Sequence, residues 1–218
     1  MIKIDRCKTA PKSLAVEASK KYGSYNQPDV LQQLREDSND KCYICELQGI
    51  SDPQVEHLKP HYNRTIKERV FDWDNLFYAC PHCNNMKNRK CYEEKIWDCS
   101  KNDPELVLEH TLINGHVIIK PIINNEIVEQ TADLIQNCFE KTNTGIREMA
   151  CQYRTEKLSE VMNVFYKTLQ KYKMNPDSKR YWKCLKVFLN RKSEFAAFKR
   201  CYLRTHLKEY PALEELLE

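Results

Sequence analysis

Two cysteine pairs, Cys42/Cys45 and Cys80/Cys83, limit what this chain can fold into more than any other feature. Each pair has Cys-x-x-Cys spacing, which lets both sulfurs reach one ion. Two such pairs complete a closed tetrahedral four-thiolate site of the kind that holds structural Zn2+. The 34 residues between the pairs are therefore expected to form a metal-closed loop. One pair alone would also suit a redox dithiol, but two pairs do not fit that use naturally. His82, inside the second pair, is a competing donor, although four sulfurs already suffice. The segment 42–99 has few apolar residues, and a bound ion supplies the stability that so small a core lacks. Seven further cysteines (Cys7, Cys91, Cys99, Cys138, Cys151, Cys184, Cys201) are scattered and odd in number. They read as free thiols, mostly on helices, because disulfide scaffolds are usually small, secreted and even-numbered.

The 218 residues are 41% hydrophobic, enough for a real core, and allow one large domain or two small ones. No run of apolar residues is long enough for a membrane helix. The opening MIKIDRCKTAPKS has no apolar signal core, so a cytoplasmic location without membrane contact is expected. A net charge of +4 permits nucleic acid binding without demanding it. Lysine and arginine concentrate after Lys157, for example at Lys167, Lys171, Lys179, Arg180 and Lys183.

Hydrophobic patterning predicts an α+β chain. Helices are expected over 12–21 and over 28–37, the latter opened by Pro28. A short strand around Val55–Leu58 ends at Pro60. A polar loop over 62–69 and a turn over 72–75 lead into the apolar LFYAC. A helix is expected from Asn84 onward through NNMKNRKCYEEKIW, with Asn84 or Asn85 near its start. Residues 106–123 read as a hairpin about Asn114-Gly115, a type I′ signal. Helices follow near 131–142, 145–173, 178–189 and 192–208, with a short one after Pro211. Val161, Val164, Phe165 and Leu169 form one expected core stripe, and Tyr181, Cys184, Leu185, Phe188 and Leu189 another. The expected organisation is an N-terminal arm (1–41), a zinc-binding core (42–105), and a hairpin followed by a helical cap or partner-binding region (106–218).

The chemistry concentrates between and just after the cysteine pairs. Hydrolysis of a phosphodiester needs a base for water and a Lewis acid at the leaving oxygen. Glu56 suits a hard cation such as Mg2+, and His57 suits the base, or else fills the fourth place on zinc or sits on the surface. Neighbours on a strand point to opposite faces, so a distorted strand end is needed for both to serve one site. The amide of Asn84 or Asn85 is a further hard-metal donor. Asn75 sits where a turn-capping role is equally good. Lys87, Arg89 and Lys90 read as a basic helix face that holds phosphates, or as ordinary solvated surface.

The strings CYIC, VEHLKPH and DWDNLFYACPHCNNMK resemble the His-Asn-His (HNH) endonuclease family in its zinc-containing form. That resemblance implies a ββα-metal core in which Glu56 is the acidic ligand of a catalytic Mg2+ or Mn2+ and Asn84 the last ligand. It also implies that His57 is the general base and that Asn75 buttresses the loop that orients it. Glu56 stands where Asp is commoner, and Asn84 where His is commoner; both still offer oxygen. The opening MIKIDR, EH-x-K-P, WDNL and the C-terminal EFAAFKRCYLR look like the PtuB subfamily of Septu and retron anti-phage systems. This implies an SMC/ABC-like ATPase partner of the PtuA type. DNA is the expected substrate, with RNA (for example tRNA) as the alternative. A catalytically inactive zinc-stapled binding module is the rival from another class.

Overall fold

Pro28 opens a helix where the sequence predicts one, with Asp29 in its first turn; this is α2 (Pro28–Asp37). It follows α1 (Lys12–Ala18), which is shorter than the expected 12–21. The Glu17 carboxylate accepts the Ser24 N–H at 2.8 Å and turns the chain back. The computed structural model describes residues 1–88, 92–140 and 145–218, the side chain of Arg147 excepted.

The cysteine pairs bracket an antiparallel ribbon of β1 (Gln54–His57) and β2 (Leu76–Ala79). Glu56 faces Phe77 across this ribbon, and His57 faces Leu76. All four β2 residues are buried. Val55, Leu76 and Tyr78 pack with Leu14, Val30, Leu34 and Trp73 of the arm and turn, whereas Phe77 and Ala79 belong to the main core. A strand covered on both faces reads as a continuous apolar run, which is why LFYA does not alternate. Between the strands, a short α3 (Lys67–Val70) takes the end of the expected loop. A 3₁₀ turn, Trp73–Asn75, is capped by the Asp72 carboxylate.

The helix after β2 differs from expectation. It is α4 (Pro81–Lys87), starting ahead of Asn84, with Pro81 at its first position and Cys80 as N-cap. The Cys80 sulfur accepts the Cys83 N–H at 3.4 Å, so the cysteine turn is itself the helix start. The helix ends at Lys87, and residues 92–97 are not α-helical.

A second ribbon, β3 (Leu108–Ile113) with β4 (His116–Pro121), turns at Asn114 (φ 52°) and Gly115 (φ 81°). Two successive positive φ values are the type I′ geometry that Asn-Gly predicts. Next, α5 (Glu126–Glu140) starts earlier than the expected 131. Asn125 accepts the N–H groups of Ile127 and Val128 at 3.0 and 3.2 Å, a cap hidden in a polar stretch. The long α6 (Gly145–Met174) and the Ser178-capped α7 (Lys179–Leu189) follow as predicted. By contrast α8 (Ala196–Thr205) starts late, because Phe195 at its N-cap is left-handed (φ 49°).

The α5 helix packs on β4, α8 on β3, α6 against α5 and α7, and α4 against α5. One hydrophobic core thereby joins the cysteine cluster to the hairpin and the C-terminal helices. Two stripe positions are corrected. Val164 is 53% exposed and Cys184 is exposed. The buried line of α6 runs Leu158, Met162, Phe165, Leu169, Tyr172 in alternating steps of four and three, and Val164 lies one position off it. Among the described residues, no helix is long and apolar enough to cross a membrane.

The C-terminal end is held by a buried charge cluster. Arg200 donates to Glu105 at 2.8 Å and to the carbonyls of Leu189 and Leu217 at 2.9 and 2.6 Å. Arg191 and Arg204 also reach Glu105, at 3.0 and 2.5 Å. Glu105→Ala would leave the Arg200 guanidinium without its counter-charge. The expected outcome is a loss of about 3–5 kcal/mol in urea unfolding; a loss below about 1 kcal/mol would show that the cluster is dispensable.

Candidate active site and metal centre

The four paired cysteines converge. Their sulfurs all lie within 4.8 Å of one another and all four residues are buried. The first pair is held by the Tyr43 N–H on Tyr78 O at 3.0 Å and by a tight turn in which Glu46 N–H returns to Cys42 O at 2.9 Å. Glu46 takes the left-handed conformation (φ 62°). The second pair forms the N-terminus of α4. Four clustered thiolates are the donor set of a closed structural zinc site. His82 is not in the cluster, and its Nε2 lies 3.1 Å from Cys138 O on α5.

Zinc with four thiolates carries net negative charge, and burying it needs a cation. Arg154 of α6 provides one: it is buried, and it donates to the Cys80 sulfur at 3.0 Å and to Ala150 O at 2.6 Å. Hydrogen bonds from the other three thiols, together with the Arg154 charge, push the Cys80 thiol pKa down. No local pattern in the sequence marks Arg154, which comes from a helix 71 residues beyond Cys83.

A cavity of about 340 Å³ lies at β1, lined by Tyr25, Glu56, His57, His61, Asn84 and Lys87 among others. Residues from both faces of β1 meet here. Asn84, one turn into α4, lines the same cavity. Asn85 is exposed, which favours Asn84 of the two amides.

His57 is held firmly. Its Nε2 lies 3.1 Å from Val70 O, and a carbonyl only accepts, so the ring proton sits on Nε2 and Nδ1 is left as the basic nitrogen. Tyr25 and His61 each stand edge-on to the ring at 4.5 Å between centroids. Burial lowers the His57 pKa to about 4, with His61, Lys87 and Arg64 adding to the effect. The ring is therefore neutral near pH 7. Asn75 is buried, and its amide bridges two backbone segments. Its Oδ1 accepts Lys59 N–H at 2.8 Å, and its Nδ2 donates to Lys59 O at 2.9 Å and Arg69 O at 3.1 Å. It thereby clamps the chain just after His57 to the chain just before Val70.

Glu56 and Lys87 form a buried pair. Lys87 Nζ lies 2.7 Å from Glu56 Oε1 and 2.8 Å from His57 O, and Tyr43 OH donates to Glu56 Oε2 at 2.5 Å. Burial raises the Glu56 pKa, while Lys87 and Tyr43 oppose that rise. Lys87 is only 5% exposed, so it is an internal counter-charge and not part of an exposed basic face for phosphates. The long lysine stem reaches inward from the last turn of α4, which helical periodicity alone does not reveal. Arg89 and Lys90, the other residues of that expected face, lie outside the described residues.

Glu56 and Asn84 offer oxygen donors of the kind a hard divalent cation takes. A carboxylate offers about four lone-pair directions, and Lys87 and Tyr43 occupy one on each Glu56 oxygen. Asn84 Nδ2 donates to Gln54 Oε1 at 2.6 Å, and its Oδ1 is the acceptor end, taking Asn88 Nδ2–H at 3.4 Å. Tyr25, His61 and Arg154 were not singled out from the sequence. His61 stands in the quoted string VEHLKPH, and its nearness to His57 was the available signal.

A family model of HNH endonucleases matches residues 42–90, the segment that contains both cysteine pairs, Glu56, His57, Asn75 and Asn84. An HNH endonuclease domain therefore occupies this part of the chain. No curated protein matches the chain significantly.

Two outcomes follow. The purified protein should carry zinc at one equivalent per chain, and Cys80→Ser should lower it well below stoichiometry by elemental analysis, whereas Cys184→Ser should not. Asn75→Ala should destabilise the protein by about 1–3 kcal/mol in urea titration, since part-buried backbone groups at Lys59 and Arg69 lose the partner that the buried Asn75 amide provides. An unchanged midpoint would rule out the clamp.

Proposed function

We propose that this chain is a metal-dependent endonuclease that hydrolyses the phosphodiester bonds of DNA, with His57 as general base. The observation that carries the reading is the hydrogen bond from His57 Nε2–H to Val70 O, which leaves Nδ1 as the basic nitrogen of a ring that lines a cavity with Glu56 and Asn84. Nδ1 takes a proton from water, and the resulting hydroxide oxygen attacks phosphorus opposite the leaving 3′ oxygen. A ring already neutral near pH 7 accepts that proton without first losing one. Val70 O holds the ring, and Asn75 holds the neighbouring Arg69 carbonyl, so the base stays aligned while the substrate binds.

Glu56 and Asn84 would hold Mg2+ or Mn2+, which when bound supplies positive charge at the leaving oxygen. Burial raises the Glu56 pKa, and Lys87 beside it opposes that rise. The four thiolates and Arg154 do no chemistry in this reading; they position α4 against β1. Contacts with DNA would be mainly to phosphates and give affinity rather than sequence selection. The likeness of MIKIDR, EH-x-K-P and EFAAFKRCYLR to the PtuB subfamily supports a role as effector in anti-phage defence with an SMC/ABC-like ATPase. The helical region after the hairpin is the proposed docking side for that partner.

His57→Ala should retain zinc and its circular dichroism spectrum yet lower plasmid cleavage with Mg2+ by about 10²–10⁴-fold. EDTA should abolish the wild-type cleavage while the zinc stays bound. Cleavage by His57→Ala at the wild-type rate would sink the assignment.

A further inference from the structure

Resting on the nuclease reading, we propose that His61 is a second functional histidine, whose Nε2–H donates a hydrogen bond to an oxygen of the scissile phosphate. The two rings are edge-on at 4.5 Å and line the same cavity. Their backbone partners give them opposite tasks. His57 uses its Nε2–H on a carbonyl and leaves an acceptor open. His61 Nδ1 lies 3.0 Å from the Arg64 amide nitrogen; an amide only donates, so Nδ1 accepts and the proton of the neutral ring is on Nε2. That Nε2–H has no hydrogen-bond partner among the described residues. A basic acceptor on one ring and an unpartnered donor on its neighbour thus line one cavity.

The backbone is shaped to produce this arrangement. Tyr62, Asn63 and Arg64 have φ of 45°, 52° and 67°, three consecutive left-handed residues without a glycine. L-residues adopt this conformation singly and at a cost, so surrounding contacts must hold it. Thr65 Oγ1 donates to Tyr62 O at 2.8 Å, Arg69 to Pro60 O at 3.0 Å, and Arg64 Nη2 to Gly23 O at 2.8 Å. The reversed turn brings the Arg64 amide back onto His61, which sets the ring's tautomer and heading. Local backbone strain of this kind concentrates at working sites. Partial burial, helped by the Arg64 charge, lowers the His61 pKa. A donor aimed at a phosphate oxygen gains strength as charge builds there during attack.

Two substitutions separate this role from mere packing on His57. His61→Gln keeps an N–H donor at a similar reach and loses the ring; His61→Phe keeps a ring and loses the donor. The expected result with Mg2+ and plasmid DNA is that His61→Gln stays within about tenfold of wild type. His61→Phe should fall about 10–100-fold in kcat, the worth of one hydrogen bond to a charged group. The reverse order would overturn the proposal and leave His61 as a packing residue for His57. A second measurement needs no turnover: 15N-edited spectra of the histidine rings in zinc-loaded, Mg2+-free His57→Ala protein, titrated with a 12-base-pair DNA duplex. His61 should show the Nε2–H tautomer, and its Nε2 resonance should move on titration. An Nδ1–H tautomer, or a His61 signal unmoved by duplex that binds, overturns the proposal even if the protein cuts DNA. Wild-type protein that neither binds nor cuts DNA or RNA overturns the nuclease reading, and this proposal with it.

Discussion

Four buried sulfurs hold this structure together. They come from two turns that are distant in sequence, and their convergence sets β1–β2 beside α4. A thiolate cluster cannot be buried as bare charge, and the cation that balances it, Arg154, belongs to α6. The small core is therefore not electrostatically self-sufficient. Its staple depends on a helix from the C-terminal region, and the hydrophobic core that joins the two runs through the same place.

The same logic recurs at the cavity. Glu56 is only 3% exposed and would be costly as a lone carboxylate. Lys87 and Tyr43 satisfy it with charge and a hydroxyl. Both cations, Arg154 and Lys87, sit on helices packed against the centre they serve, so helix placement and charge compensation are one constraint. Asn75 adds a neutral version of the device, joining the backbone at Lys59, just after His57, to that at Arg69, just before the ring's carbonyl anchor. These contacts hold the His57 ring by its Nε2–H and leave Nδ1 as the basic nitrogen.

Much of the local structure was legible in the sequence because short-range chemistry decides it. Pro28 and Ser178 start helices where they stand, and Asn114-Gly115 turns a hairpin. Errors arose where the deciding partner was less obvious. A cysteine sulfur, not an asparagine, caps α4. Asn125 starts α5 early from inside a polar stretch. Val164 has the right residue type for a core stripe but the wrong angular position, which only the neighbouring helices select.

The sequence by itself determined the metal-binding staple and the spacing that puts Glu56, His57, Asn75 and Asn84 near it, because ligand chemistry and turn geometry act over a few residues. Tertiary structure alone decided which groups neutralise and orient them. Arg154 reaches Cys80 across 74 residues of chain, Lys87 reaches Glu56 across 31, and Tyr25 meets His57 from the N-terminal arm. The reason is physical: a buried charge is balanced by whatever cation the packing brings within about 3 Å, and sequence spacing does not encode that distance.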